Sequence, residues 1–164
     1  MRPRYWLMKS EPGECSIDDA LAARQSTVPW TGVRNYQARN FLRDEARIGD
    51  GVLFYHSSCP MPGVAGIARI ASAPYPDPTQ FDPASPYFDP RSKRSEPRWF
   101  LVDVQVVRKT RLVPLTELRG YKELADLLIL RRGNRLSITP VTAAHWRFLN
   151  ERVLADPGPD PFRN

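Results

Sequence analysis

A proline-rich stretch in the middle of the chain limits the folds open to it more than any other feature. Residues 74–98 contain seven prolines. Proline fixes φ and has no N–H to donate to a sheet, so this stretch cannot supply a central strand. We therefore expect it to run as an extended excursion that leaves a sheet and later returns to it.

Runs typical of strands lie on both sides of this stretch. Residues 5–9, 52–56 and 64–71 are short and rich in apolar and aromatic side chains, and residues 99–110 alternate with period two. Gly66 indicates a bulge or the close approach of another backbone. A shorter run at 136–138 is expected to pair as a closing strand.

Helical patterns are irregularly distributed among these runs. Ser16, Asn35 and Thr142 are candidate N-caps. Strands that are not separated by regular helices argue against a doubly wound parallel sheet and favour a small mixed barrel or another α+β fold. The predicted helices cover residues 16–24, 35–46, 115–118 (a single turn), 121–130, and a last helix after Thr142.

Composition is that of a globular protein with an excess of positive charge. The 164 residues are 41% hydrophobic and 26% charged, enough for one well-buried core. Lys and Arg number 24 against 18 Asp and Glu, which gives +6, and arginine dominates. Guanidinium groups suit phosphate and base recognition. Many soluble proteins from high-GC genomes are also rich in arginine for reasons unrelated to ligands.

Compartment is predicted from the cysteines and from the N-terminus. Cys15 and Cys59 do not form a disulfide framework and are expected to be reduced. The first apolar run stops at Met8, too short for a signal segment or a membrane span. We therefore expect a cytoplasmic protein without a membrane partner.

The sequence lacks the common catalytic motifs. It contains no G-x-S-x-G elbow, no Walker loop and no H-E-x-x-H pattern. His56 and Ser57 are neighbours on a strand and point to opposite faces, which makes them a poor catalytic pair. Asp18 and Asp19 fit a helix N-terminus better than a metal site. We expect no catalytic residue, no metal and no cofactor.

One segment combines the groups that bind a flat, hydrogen-bonding ring. Trp30-Thr-Gly-Val-Arg-Asn-Tyr36 is followed by Gln37-Ala-Arg-Asn40, where the chain is expected to leave a loop and enter a helix. Aromatic faces, guanidinium planes and amides at a helix start can hold a nucleobase. The segment predicts a binding site.

Several motifs, in order along the chain, resemble the EVE domain family over about residues 4–154. The resemblance implies a PUA-like fold related to the YTH domain: a small mixed β-barrel of about five to six strands with flanking helices. It also implies binding of RNA or DNA that contains a modified base, without known catalytic activity. The stretches that carry it are Tyr5-Trp-Leu-Met-Lys-Ser-Glu-Pro12, residues 30–40, Gly49-Asp-Gly-Val-Leu-Phe-Tyr-His-Ser57, Tyr75-Pro-Asp77 with Phe81-Asp82, and Arg135-Leu-Ser-Ile-Thr-Pro-Val141.

The segment and the resemblance together predict a pocket for a base at strand ends and in the loops that leave them. For Trp30 the structural alternative is a core position, for Asn35 an N-cap, and for Tyr36 packing on the helix. Arg34 and Arg39 are predicted to hold phosphates. The predicted base-binding residues are Lys9, Ser10, Trp30, Gly32, Val33, Arg34, Asn35, Tyr36, Tyr55, His56, Ser57, Leu136, Ser137 and Pro140.

The function predicted is non-catalytic capture of a modified base from RNA, or from single-stranded or flipped DNA. We expect one domain over residues 1–155, a flexible proline-rich tail at 156–164, and a monomer. Two alternatives stay open. The chain could be a small enzyme acting on nucleotides in the same pocket, or an interaction module whose segment 74–98 docks a protein partner.

Overall fold

A mixed six-stranded sheet forms the centre of the computed structural model, which describes residues 4–155. Its spatial order is β2-β7-β4-β3-β1-β8, with β1 and β3 parallel and the other neighbours antiparallel. A separate pair joins β5 to β6. The strands are β1 (Tyr5–Ser10), β2 (Thr27–Pro29), β3 (Gly51–His56), β4 (Gly63–Ile70), β5 (Tyr75–Pro76), β6 (Phe100–Leu101), β7 (Asp103–Pro114) and β8 (Ile138–Val141).

Alternating side chains divide the core into two layers on opposite faces of this sheet. Trp6 and Phe54 pack in one layer with helices from the first third of the chain, and Leu7 and Leu53 pack in the other with the last helix. The α+β class is confirmed. Within residues 4–155 no hydrogen bonds join the edge strands β2 and β8, so the predicted barrel is a sheet that stays open.

All three predicted N-caps are confirmed. The hydroxyl of Ser16 accepts from the N–H of Asp19 in a capping box, and Asn35 and Thr142 accept from backbone N–H groups of their helices. The helices are α1 (Pro12–Cys15), α2 (Ile17–Ala22), α3 (Tyr36–Asn40), α4 (Leu115–Leu118) and α5 (Ala143–Phe148), with π turns at Phe41–Glu45 and Leu149–Val153.

The predicted helix at 121–130 is wrong. The chain instead forms two 3₁₀ turns, Lys122–Leu124 and Leu128–Leu130. The N–H groups of Leu124, Leu127 and Leu130 each donate to the carbonyl three residues earlier. Apolar side chains at this three-residue spacing share one face of a 3₁₀ segment, a pattern easily mistaken for an α-helical stripe.

Two edge strands also differ from prediction. β2 was not predicted, and it ends at Pro29 on the edge of the sheet, where a missing N–H is tolerated. The closing strand β8 begins at Ile138 rather than at residue 136 and includes the exposed Pro140. The predicted tail at 156–164 lies outside the described residues, and the extent of the domain stays a prediction.

The proline-rich segment is an ordered excursion held by a buried amide. Gln80 donates through Nε2 to the carbonyls of Asp77 and Trp99, at 2.7 and 2.8 Å. Its Oε1 accepts from the N–H groups of Arg98 and Trp99 and from the Ser92 hydroxyl. One side chain therefore ties both ends of the excursion together.

Two contacts fix helix α2 against the sheet. Gly66 lies at a register shift between β4 and β7, and a Cβ there would overlap Ile17 Cδ1 of α2 and lie 2.7 Å from the carbonyl oxygen of Arg108. His56, at the end of β3, accepts the N–H of Ile17 on Nε2 at 3.0 Å. The predicted close approach at Gly66 is confirmed.

Replacing Gly66 by alanine should destabilise the protein. The added methyl must displace both α2 and a neighbouring strand, which we expect to lower the free energy of unfolding by about 1–3 kcal/mol. Urea unfolding followed by circular dichroism measures this change. Gly13→Ala is the matched control, since a Cβ at that position meets nothing within 4 Å. Equal stability of G66A and G13A would contradict the packing described here.

Stability should fall as pH drops below about 6.5 because of His56. The pKa of His56 lies below its ordinary value, because burial lowers it by more than the charge of Asp18 raises it. The charge of Lys109 lowers it further. The unfolded chain therefore binds a proton at higher pH than the folded one, and the contribution is complete above the ordinary pKa and lost below it. Protonation also removes the acceptor for Ile17. Unfolding midpoints between pH 8 and 5.5 should fall less in His56→Gln than in the wild type; parallel curves would refute this.

Candidate functional site

A cavity of about 540 Å³ opens where the parallel strands β1 and β3 end. Parallel neighbours bring their carboxyl ends to the same edge of a sheet, so the segments that follow them meet there. The predicted site residues that line the cavity are Lys9, Ser10, Trp30, Gly32, Val33, Ser57 and Ser137. The cavity is also lined by Glu11, Glu14, Cys15, Pro29, Thr31, Ser58, Tyr87 and Arg135.

Trp30 belongs to the core and to the cavity wall at once. Its side chain is 7% exposed and meets the Phe54 ring edge to face, with 5.2 Å between centroids. The same residue lines the cavity. Trp30 therefore packs in the core as well as lining the cavity, and its stacking on a base stays a prediction.

Gly32 lets an aromatic ring cover the backbone beside Trp30. Its φ of +86° is in the left-handed region that favours glycine. A Cβ at this position would lie 2.6 Å from Cζ of Tyr87. The glycine therefore allows the Tyr87 ring, from the proline-rich segment, to form one wall of the cavity.

A buried carboxylate holds these two segments together. Asp77 is fully buried and accepts from the N–H of Gly32 at 2.9 Å and from the N–H and hydroxyl of Thr79 at 2.8 and 2.6 Å. A further hydrogen bond comes from Arg34 at 3.1 Å. Burial raises the pKa of Asp77, but the hydrogen bonds from Thr79, Gly32 and Arg34 outweigh it and keep the pKa below its ordinary value.

Arg34 has a structural role rather than the predicted phosphate-binding one. Its five guanidinium N–H groups are all used: they donate to the carbonyls of Val33 and Tyr87, to Asp77 and to the Thr79 hydroxyl. The side chain is only 21% exposed. A phosphate would have to replace an internal bond, so the prediction for Arg34 is corrected.

Arg34 is also part of a stack of rings and guanidinium groups, here called the ladder. The order is Arg39, Tyr36, Trp99, Arg34 and Tyr87, and the successive contacts measure 4.8, 4.9, 5.4 and 5.6 Å. The Tyr87 end of the ladder is part of the cavity wall, and the Arg39 end lies outside the cavity.

Polar groups without a protein partner line the cavity. Within residues 4–155, the hydroxyls of Ser57 and Ser137 and the ammonium of Lys9 make no hydrogen bond, and the N–H of Val33 has no acceptor. Burial lowers the pKa of Lys9. These groups offer donors and acceptors to a polar ligand.

Acidic groups line another part of the cavity wall. The hydroxyl of Tyr87 bonds to the Glu14 carboxylate, and burial together with this bond raises the pKa of Tyr87 to about 12. Tyr87 therefore stays protonated and donates to Glu14. Across residues 4–155, no group of three or more His, Cys, Asp or Glu side chains could hold a metal ion.

Four predicted site residues lie away from the cavity. Tyr55 points into the opposite core layer, where burial raises its pKa to about 12. His56 is occupied by its bond to Ile17. Leu136 is not among the lining residues, and Pro140 lines a separate cleft with Phe41. Adjacent strand positions face opposite ways, which separates Tyr55 from the site. Pro140 pairs with Trp6 and shares its face of the sheet, but it lies further along β8 from Ser137, in the cleft with Phe41.

Three more predicted residues belong to helix α3 or to its N-cap. Asn35 uses its Oδ1 to accept from the N–H groups of Gln37 and Ala38, and it does not line the cavity. Tyr36, 52% exposed, stacks on Trp99. Arg39 lines a second cleft, apart from the cavity.

Several lining residues were missed by sequence reasoning. Glu11 and Glu14 belong to the short segment after β1, which carries no pattern beyond a helical turn. Tyr87 had one available signal: it is a large aromatic within a proline-rich stretch that was expected to leave the sheet. Its partner Glu14 lies 73 positions away in the sequence, so no local pattern could join them.

Comparison with known proteins gives matches that cover most of this chain. Human thymocyte nuclear protein 1 is 43% identical over 163 residues, covering 88% of this chain and 72% of that protein. A crystal structure of a Pseudomonas putida protein is 49% identical, with a TM-score of 0.84, covering 90% of this chain and 97% of that one. A crystal structure of human THYN1 protein in complex with 5-methylcytosine-containing DNA is 41% identical, with a TM-score of 0.85, covering 96% and 99%.

The comparison also corrects the expected location. The human relative and its mouse counterpart, which is 42% identical over 163 residues, are both named as nuclear proteins, which conflicts with a purely cytoplasmic assignment. As for membranes, none of the helices within residues 4–155 has the length and apolar character needed to cross one.

The family match extends over almost all of the chain. The EVE domain matches residues 4–152, which include every strand of the sheet and every segment that lines the cavity. With these relatives and with the resemblance already visible in the sequence motifs, the chain belongs to the EVE domain family.

Proposed function

We propose that this chain is a non-catalytic nucleic-acid-binding module that captures a modified base in the cavity beside Trp30. The observation that carries the proposal is the meeting of an aromatic wall with unpartnered polar groups in one cavity. Human THYN1 protein, crystallised in complex with 5-methylcytosine-containing DNA, has the same fold at 41% identity, which supports nucleic acid as the ligand class.

The size of the cavity suits a single base with part of its sugar. Ligand pockets typically measure about 300–1,000 Å³, and the 540 Å³ found here lies within that range. A base inside a duplex cannot reach such a cavity. The ligand is therefore a base of RNA or single-stranded DNA, or one flipped out of a helix.

Different walls of the cavity would contact different parts of the base. Trp30 and Tyr87 contribute aromatic surface against the ring of the base. Ser57, Ser137 and the N–H of Val33 would read its edge, since a hydroxyl can donate and accept while the amide only donates. This assignment replaces Asn35, which caps α3 outside the cavity.

A modification adds apolar contact that an unmodified base lacks. Burying one methyl-sized group contributes about 0.8 kcal/mol, which corresponds to about fourfold in affinity. The preference for a methylated base is therefore modest unless the cavity closes tightly around the methyl group.

The two alternatives receive less support. The proline-rich segment is packed through Gln80 and Asp77 and gives Tyr87 to the cavity wall, so its role is accounted for without a protein partner. A nucleotide-directed enzyme would need an activated nucleophile or base at the cavity. His56, the candidate from sequence, is bound to Ile17 instead.

Replacing Trp30 should weaken binding of single-stranded oligonucleotides. Fluorescence titration with strands containing 5-methylcytosine or cytosine should give a preference of about fourfold in the wild type. Loss of the stacking surface in Trp30→Ala should weaken binding about 5- to 150-fold, from roughly 1–3 kcal/mol. Trp30→Phe should lose less.

Since Trp30 also belongs to the core, stability needs its own control. Trp146→Phe changes a tryptophan that stacks on Tyr5 in the opposite layer and should leave binding unchanged. Thermal unfolding of each variant separates folding from recognition. Wild-type binding to none of the strands, or a strand recovered with altered mass, would refute non-catalytic capture.

Removing the two free hydroxyls should weaken binding without loss of fold. Ser57→Ala with Ser137→Ala deletes hydroxyls that bond to no described residue, and at roughly 1 kcal/mol per bond to the base the affinity should fall about 30-fold. Thr116→Ala, which removes an exposed hydroxyl on α4, serves as control. Unchanged affinity in the double variant would exclude these serines from the base edge.

A further inference from the structure

A second cleft, here called the basic cleft, lies between helix α3 with its π turn and the end of the proline-rich segment. Its volume is about 450 Å³. Five of the lining side chains are cations and one is a carboxylate. The lining residues are Arg39, Arg43, Arg91, Lys93, Glu96, Pro97 and Arg98.

Three of these cations lack a hydrogen-bonded or salt-bridged side-chain partner among the described residues, although Glu96 lines the same cleft and the charge of Arg98 acts on Asp89. Within residues 4–155, Arg91, Lys93 and Arg98 make no side-chain hydrogen bond or salt bridge. Exposed cations without a partner in the described part of the chain also occur elsewhere, for example Lys122 and Arg147, whereas others are paired, as Lys109 is with Asp18 at 2.7 Å. Arg91, Lys93 and Arg98 differ in lying together in one cleft with two further cations.

The remaining two cations of the cleft are held in place by the protein. Arg43 is bound by Asp44 at 2.8 and 2.9 Å. Arg39 donates to Asn40 and to the carbonyl of Arg98. Burial and the charge of Arg43 lower the pKa of Arg39. Crowding of like charges opposes folding, so the cleft is built for an anion that the described residues do not supply.

The ladder connects the basic cleft to the cavity. Arg39 lines the cleft at one end and Tyr87 lines the cavity at the other. Its four contacts average near 5 Å, so the two sites lie within roughly 20 Å, about six nucleotides of stacked strand at 3.4 Å each. A polymer of a few nucleotides can therefore occupy both.

We infer that the basic cleft binds the phosphodiester backbone of the strand whose base enters the cavity. This inference rests on the proposed function. Separate cations spread along a cleft match a chain of phosphates better than one free anion, and Arg91, Lys93 and Arg98 have donors to give. Phosphate contacts carry affinity and register, while the cavity carries base preference.

Charge removal in the cleft tests the inference. Arg91→Gln with Lys93→Gln changes two exposed side chains without partners, so the fold is kept. The matched control is Lys122→Gln with Arg147→Gln, which removes the same charge from exposed positions beside the opposite core layer. The probes are a ten-nucleotide single strand with one central 5-methylcytosine, its unmodified counterpart, and a dinucleotide with the modified base.

The cleft variant should bind the ten-nucleotide strand about tenfold more weakly. The slope of log K against log salt concentration should become shallower by about 1.4, since each single-strand phosphate contact contributes about 0.7. Dinucleotide binding and the ratio between modified and unmodified strands should stay unchanged, as should all binding by the control variant.

Other outcomes overturn the inference in distinguishable ways. If the wild type binds the strand and the cleft variant shows the same slope of log K against log salt concentration, the strand backbone does not bind in the cleft. The proposed function is unaffected by that result. If the control variant loses as much affinity for the strand as the cleft variant, the effect comes from the net charge of the protein and not from the cleft. If an acidic peptide is added as a fourth probe, loss of its binding in the cleft variant with strand binding unchanged would assign the cleft to a protein partner. Absence of strand binding by the wild type ends both proposals.

Discussion

The buried carboxylate of Asp77 is the interaction on which the arrangement of the candidate site depends. Its four hydrogen bonds join Gly32 and Arg34, on the loop after β2, to Thr79 in the proline-rich segment. A fully buried carboxylate is tolerated only when its acceptor sites are satisfied, and here they are satisfied by the two segments that must meet. The cavity between Trp30 and Tyr87 exists because this joint holds.

Arg34 shows how a typical binding side chain can become part of the framework. Its guanidinium bonds to Asp77 and Thr79 and lies between the Trp99 and Tyr87 rings, in the ladder. The cationic character predicted for this segment is therefore used inside the protein. Cations without a partner among the described residues lie instead in the basic cleft, at Arg91, Lys93 and Arg98, and in the cavity at Lys9.

Features encoded within a few residues could be predicted from the sequence. The N-caps at Ser16, Asn35 and Thr142, the close approach at Gly66 and the excursion of the prolines all follow from local chemistry. The 3₁₀ turns at 122–130 were missed because their three-residue spacing is close to helical periodicity.

The site could be predicted only in part. Its location beside Trp30 and at the ends of β1 and β3 follows from motifs in the chain, and the cavity lies there. The role of Arg34 could not be predicted, because its acceptors Asp77 and Tyr87 lie 43 and 53 positions away. Tyr55 and Pro140 were assigned to the site from the family resemblance. The alternation of β3 turns Tyr55 to the other face of the sheet, and Pro140 lies along β8 in a separate cleft.

The double membership of Trp30 has a consequence for how ligand preference can diverge among related proteins. A substitution at this position alters the packing around Phe54 as well as the cavity, so stability and recognition cannot vary independently there. Arg135 lines the same space from an exposed loop position. New preferences can evolve there with less effect on folding, and we expect adaptation to begin with it.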